Sequence, residues 1–264
     1  MASQRNPKSR LELGLERSLA ATLLAGQVVL HLLRLKIHRR NTFEQMATVG
    51  PESLIVALLT AAFVGMVFTI QVAREFVYFG ATTAVGGVLG LALSREMSPV
   101  LTSVIVAGRV GSAFAAEIGT MRVTEQIDAL YMLKTDPVDY LVMPRVLACC
   151  LMLPVLTVLS LITGMAGGLF IADRMYNIPP AIFLESVRNF VKPWDLISAL
   201  IKSVVFGLLI AVIGCSWGLT TTGGAKGVGR STTSAVVIAL LSIFISDFFL
   251  SWLMFQGMGS ADIE

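Results

Sequence analysis

Apolar residues fill this chain in long, nearly unbroken runs, and the breaks between runs are short and sharply polar. Four runs, residues 54–72, 146–172, 196–219 and 235–255, each come close to the roughly 20 apolar residues an α-helix needs to cross a bilayer. A fifth, between residues 84 and 118, is longer and is interrupted by Ser94, Arg95, Glu96, Ser98 and Pro99. The pattern predicts an all-α membrane protein with five transmembrane helices in a bundle over 53–255. Residues 19–35, LAATLLAGQVVLHLLRL, are apolar enough to be a sixth span. However, Arg5, Lys8, Arg10 and Arg17 precede them and Arg34, Lys36, Arg39 and Arg40 follow. An amphipathic helix lying in the membrane interface over 11–40, its cations reaching to headgroups, accounts for both flanks better than a crossing does.

The most distinctive break is residues 107–145, AGRVGSAFAAEIGTMRVTEQIDALYMLKTDPVDYLVMPR. Within it, Ile127, Leu130, Tyr131 and Lys134 recur at three- and four-residue spacing, which predicts a short helix over 124–134 with one mainly apolar stripe. Thr124 is the expected cap of that helix. Asp136 is the expected cap of the next one, with Pro137 and Asp139 in its first turn. Glu125 and Asp128 suit an anionic lipid surface poorly. The helix, with Glu125, Gln126, Ile127, Leu130 and Tyr131 as its contact residues, therefore reads as a handle for a groove in a partner protein.

Composition agrees with this picture. The chain has 264 residues, of which 14% are charged, against about 25% in soluble domains, and a mean hydropathy of +0.80. Net charge is only +3, but its placement is informative. If the N-terminus is cytoplasmic, segments 1–52, 116–145 and 218–232 hold thirteen Lys and Arg, and the opposite side holds four: Arg74, Arg174, Arg188 and Lys192. The excess of cations inside predicts a cytoplasmic handle and a C-terminus on the outer side of a cell inner membrane. Cys149, Cys150 and Cys215 lie in apolar runs without metal-ligand spacing and read as small packing residues. The N-terminus lacks the pattern of a cleavable signal peptide.

Two further patterns bear on packing and function. Small residues recur four apart in Gly86-Gly90-Ser94, Gly111-Ala115-Gly119, Gly164-Gly168 and Gly214-Gly218, as helices in lipid require for close approach. Ionisable residues at membrane depth, Arg95, Glu96, Arg109, Glu117 and Asp247, each cost at least about 2.5–3.5 kcal/mol at a helix centre, so they face a partner, a cavity or the bundle interior. On an ideal helix Arg95, Arg109 and Glu117 lean toward one side. Arg109, Glu117 and Asp247 fit internal ion pairs as well as functional roles. Arg95-Glu96 points to function, because Pro99 is expected to break the helix there and irregular backbone in a membrane lines a cavity.

The stretch from Arg95 to Arg145, beginning REMSPVLTSVIVAGRVGSAFAAEIG, resembles the signature of the MlaE-type permeases of bacterial lipid-transport ABC systems, and the resemblance runs from about residue 50 to the end. It implies one permease domain over 1–264, acting as a homodimer that moves phospholipid or a related lipid. It implies a cytoplasmic ATPase gripping the handle and an MCE-domain lipid carrier on the outer side. It also implies a lipid pocket with Arg95 and Glu96 as its charged pair and Phe68, Phe76 and Phe79 as apolar walls. A family tyrosine is Phe79 here, which removes a hydroxyl from that pocket. The segment from Gly224 to Ser231 spells GxxxxGRS, close to a phosphate-binding loop. It follows a membrane helix instead of a strand and has Arg230 in place of the lysine, so ATP hydrolysis belongs to another subunit. No catalytic set is present, and no cofactor, metal or nucleic-acid partner is expected. An ion-coupled secondary transporter of an amphipathic substrate is the alternative, since buried charges near a broken helix would suit it.

Overall fold

The computed structural model describes residues 39–257 together with Leu23, Leu24 and Gly26. The interfacial helix expected over 11–40 falls almost entirely outside the described residues. Among those described there is no strand, and five helical segments are long and apolar enough to cross a membrane. The first is α1 (Arg39–Val49) continued by α2 (Pro51–Tyr78); the second is α3 (Thr82–Val123). A short α4 (Gln126–Met132) follows. The third span is α5 (Val138–Tyr176), then a short α6 (Pro180–Phe190), the fourth span α7 (Pro193–Leu219), and the fifth α8 (Gly224–Gln256).

Each expected run lies within one of these helices, but the expected break at Pro99 is absent. α3 continues through it. A proline removes an N–H and crowds the preceding turn. Here the turn just before it, Leu93–Met97, is a π turn, which opens the helix where the ring needs room. A second π turn, Ala107–Gly111, lies further along. These two wide turns also overturn the expectation that the charges of α3 lean to one side. The phase of the helix shifts, so Arg95 pairs with α7, Arg109 with α2 and Glu117 with α5.

The small-residue seams are used for packing within the chain. Gly65 of α2 lies directly against the backbone of Gly164 in α5, and Gly167 approaches Ala62. Gly86 meets the backbone of Phe183 in α6. Gly111 and Gly214 bring α3 against α7, where a Cβ on Gly214 would stand 2.9 Å from the Gly111 carbonyl oxygen. Larger apolar side chains fill the space these contacts leave. One core holds Val110, Phe114 and Ile118 against Val146, Leu153, Phe206 and Ile210; a smaller core at the other end joins Val85, Leu89, Leu93 and Phe183. Cys149 and Cys215 are buried in the larger core. α8 is the least buried span and shows Val237, Leu241, Phe244 and Phe248 on its surface.

Left-handed residues bracket the short helix α4: Glu125 at φ 61° and Lys134 at φ 55°. Thr124 does not cap α4. It ends α3, and its hydroxyl donates back to the Thr120 carbonyl at 2.8 Å. A threonine at the end of a helix has that carbonyl within reach, and it competes with forward capping. Asp136 does cap: its Oδ1 accepts the Val138 N–H at 2.9 Å. Gly223 and Gly224, both at positive φ, turn the chain from α7 into α8. The segment that resembles a phosphate-binding loop is therefore the first turns of a membrane helix.

Replacing Gly65 with Leu forces a side chain into the Gly164 backbone, and overpacking of this kind costs at least about 1–3 kcal/mol. Thermal unfolding of the detergent-solubilised chain should show a lower midpoint for Gly65→Leu and little change for Gly108→Ala, whose Cβ meets no atom within 4 Å. Equal midpoints for the two variants would contradict the packing described.

Candidate functional site: a buried ion network and its cleft

At the end of the bundle remote from α4, three spans meet around one ammonium group. Lys202, ten residues into α7, is fully buried. Its Nζ lies 2.9 Å from Glu96 Oε1 on α3 and 2.8 Å from Asp247 Oδ1 on α8. It also donates to Ser251 Oγ at 2.7 Å and to the Arg95 carbonyl at 2.8 Å. That carbonyl is the one an α-helical residue 99 would bond through its N–H, and residue 99 is proline. The lysine thus serves an acceptor the proline leaves open, along with two carboxylates. Ser251 closes the set by donating to Glu96 Oε1 at 2.9 Å.

Arg95 and Glu96 are neighbours in sequence but do not pair with each other. Arg95 Nε donates to Asp195 Oδ1 at 2.7 Å, and Asp195 is 1% exposed. The other oxygen of Asp195 accepts the Lys192 N–H at 2.8 Å, so one carboxylate both caps α7 and anchors Arg95. The guanidinium lies over the Phe255 ring, 4.5 Å from its centre. Trp194 donates to the Met254 carbonyl at 3.4 Å and ties α7 to the end of α8. Such charges are retained in a low-dielectric interior only when each has an ionic or hydrogen-bonded partner.

An open cleft of about 460 Å³ lies beside this network, with Arg95, Glu96, Phe248, Ser251, Trp252 and Phe255 among its walls. A second cleft, about 490 Å³ and almost wholly apolar, runs along α2 between Leu59, Phe63, Val67, Phe68 and Met97. Within one chain, therefore, Phe68 does not join Arg95 and Glu96; the two clefts lie to either side of the Leu93–Met97 turn. Phe76 packs against the smaller core, and Phe79 is exposed at the end of α2, edge-on to Tyr78.

The remaining charged candidates are all ion-paired nearer α4. Arg109 reaches Glu52 at 2.8 Å and the Ser53 hydroxyl at 3.0 Å. Glu117 pairs at 2.8 Å with Arg145, which also donates to the Leu141 carbonyl and stands over the Phe114 ring. Arg145, counted in the sequence as a loop cation, is in fact buried in the helix body. On α4, Ile127 is buried, Leu130 half-buried, and Glu125, Gln126 and Tyr131 are exposed; Met132 and Leu133 extend the exposed apolar patch. Arg122 holds Asp128 at 2.7 Å and fixes α4 against the end of α3. Reading the sequence missed Lys202, Asp195, Ser251 and Glu52. Lys202 left a signal, a lone cation well inside an apolar run, whose burial requires carboxylate partners.

Comparison with known proteins places the chain in a family of membrane permeases. The family model described as Permease MlaE matches residues 42–253. The chain is 69% identical over 257 residues to a probable ABC transporter permease of Synechocystis sp., covering 97% of this chain and 98% of that one. It is 57% identical over 245 residues to the chloroplastic protein TRIGALACTOSYLDIACYLGLYCEROL 1 of Arabidopsis thaliana, covering 93% and 70%. A probable ABC transporter permease of Rickettsia felis is 40% identical over 235 residues, covering 89% and 91%. Family membership favours an ABC system over an ion-coupled carrier, and the match spans all five membrane helices: the chain belongs to the MlaE permease family and is an ABC transporter permease.

Proposed function

We propose that this permease carries lipid, with the Arg95–Glu96 cleft receiving the headgroup and the exposed apolar faces of the bundle receiving the acyl chains. The observation that carries the reading is the continuity of α3. One helix bears Arg95 and Glu96 about a third of the way along and continues to Val123, where a single turn at Thr124 and Glu125 leads into the handle. A push on α4 therefore reaches the cleft through a single rod, laterally braced by the Arg109–Glu52 and Glu117–Arg145 pairs.

The force comes from a separate cytoplasmic ATPase that seats α4 in a groove. Exposed Tyr131, Met132 and Leu133 beside acidic Glu125 supply the apolar and charged contacts such a groove needs. The count of cations supports a cytoplasmic α4, an inner-membrane location and a C-terminus on the outer side. Lipid would pass there to an MCE-type carrier. The chain would work as a homodimer over the whole of 1–264. A second copy could bring the Phe68 cleft of one subunit opposite the Arg95–Glu96 cleft of the other, which would unite the two halves of the expected pocket.

The handle supplies the test. Tyr131→Asp combined with Met132→Asp alters two exposed side chains and should leave the thermal midpoint near that of the parent chain. Co-purification of the ATPase should fall at least about tenfold, a loss of about 1.4 kcal/mol or more. Full retention of the ATPase, and of its stimulation by the permease, would refute the role given to α4.

A further inference from the structure

The handle α4 is joined to α3 by two residues only, Thr124 and Glu125. Glu125 is left-handed, at φ 61° and ψ 13°, a conformation that a residue with a Cβ keeps only when its surroundings impose it. Its N–H donates to the Arg122 carbonyl at 3.3 Å, and its own carbonyl accepts the Ala129 N–H at 3.1 Å. These backbone bonds turn the chain, but they leave open how α4 rolls about its own axis. α4 is seven residues long and packs chiefly against the end of α3, so little else steadies it.

Two side chains fix the roll. Ile127 is 2% exposed and belongs to the larger core, which pins α4 at one point. A helix held at one point still rocks about it. Asp128, about 100° further round the helix, supplies the second point. Its Oδ1 accepts from Arg122 Nη1 at 2.7 Å. Arg122 lies in the last turn of α3 and Asp128 in the first turn of α4, so the pair bridges the elbow. Both side chains are partly exposed, and an ion pair in contact with water adds little to stability. What it fixes is direction. With Ile127 turned into the core and Asp128 turned to Arg122, the face left outward at the end of the handle is Tyr131, Met132 and Leu133.

We infer that Arg122 is a positioning residue for force transfer. By holding Asp128 it sets the roll of α4, so that a push on the handle displaces α3 instead of rolling α4 about Ile127. The inference rests on the reading above, in which a cytoplasmic ATPase grips α4 and drives lipid. It adds that grip and transmission belong to different side chains: Tyr131 and Met132 serve the first, Arg122 and Asp128 the second. Loss of the pair uncouples the permease without releasing the ATPase.

The test uses proteoliposomes holding the permease with its ATPase and an MCE-type carrier, and radiolabelled total polar lipids of the source cells as the probe. Three quantities are read: the affinity of the ATPase for the permease, the lipid moved per ATP hydrolysed, and the thermal midpoint. Arg122→Gln and Asp128→Asn should each lower the lipid moved per ATP at least about fivefold. ATPase affinity should stay within about twofold of the parent, and the midpoint should not move. The double variant should be no worse than either single one, since all three lose the same bond. Arg122→Asp with Asp128→Arg reverses the pair and should restore at least about half of the parental yield. A parental yield in Arg122→Gln, or a reversed pair no better than the single variants, would overturn the inference. ATPase affinity that falls in step with the yield would make Arg122 a contact residue and overturn it too. A parent that moves no probe would overturn the lipid-carrying reading, and a Tyr131→Asp, Met132→Asp permease that keeps its ATPase would overturn the seating of α4; the inference falls with either.

Discussion

One ammonium group organises the far end of this bundle. Lys202 is enclosed by spans, and every contact it makes belongs to a different span from its own: Glu96 and the Arg95 carbonyl on α3, Asp247 and Ser251 on α8. Proline 99 makes the arrangement necessary as well as possible. It withholds the N–H that α-helical geometry would direct to the Arg95 carbonyl, and in a membrane no water stands by to replace it. The π turn at Leu93–Met97 presents that carbonyl, and the glutamate beside it, to the lysine. Remove the charge and the mostly buried Asp247 and the half-exposed Glu96 both lose the cation that balances them.

The consequences extend along the chain. α8 is otherwise the least buried span, so its fixed position beside the cleft depends on Asp247, Ser251 and the contacts of its last turn with Trp194 and Arg95. The cleft is the space left between α3 and α8 beside those contacts. At the opposite end, ion pairs of similar length fasten α3 to α2 and α5 just before it turns into the handle. The second span is thus held by ion pairs at Arg95, Glu96, Arg109 and Glu117 and packed by Gly111 against Gly214. Its two π turns hold Arg95, Glu96 and Arg109, where a helix that adjusts its register would have to do so.

How much of this could be read in the sequence follows from the range of each interaction. The spans were legible because crossing a bilayer demands length and apolarity, both local properties. The handle was legible in its stripe and its acidic residues, and the cap of the next helix at Asp136 followed from local chemistry, whereas the Thr124 hydroxyl bonds backward to the Thr120 carbonyl in competition with forward capping. The glycine seams were visible as patterns but not as partners: nothing in the spacing says that Gly65 meets Gly164 or that Gly111 meets Gly214. Ion pairing was the least legible of all. Arg95 and Asp195 are 100 residues apart, and the adjacency of Arg95 and Glu96 suggested a pair where the fold makes two separate ones. Pro99 was recognised as a disturbance, but its outcome depended on a lysine brought in from another helix.

The most direct measurement is a stability cycle centred on Lys202. Lys202→Met preserves length and apolar bulk while deleting the charge, and leaving the mostly buried Asp247 and the half-exposed Glu96 without their cation should cost about 1–3 kcal/mol in the unfolding of the solubilised protein. In a background already carrying Glu96→Gln and Asp247→Asn, the same substitution should cost less than half as much. A Lys202→Met protein as stable as its parent, or a loss equally large in both backgrounds, would contradict the account that the Lys202 network holds α3, α7 and α8 together around the cleft.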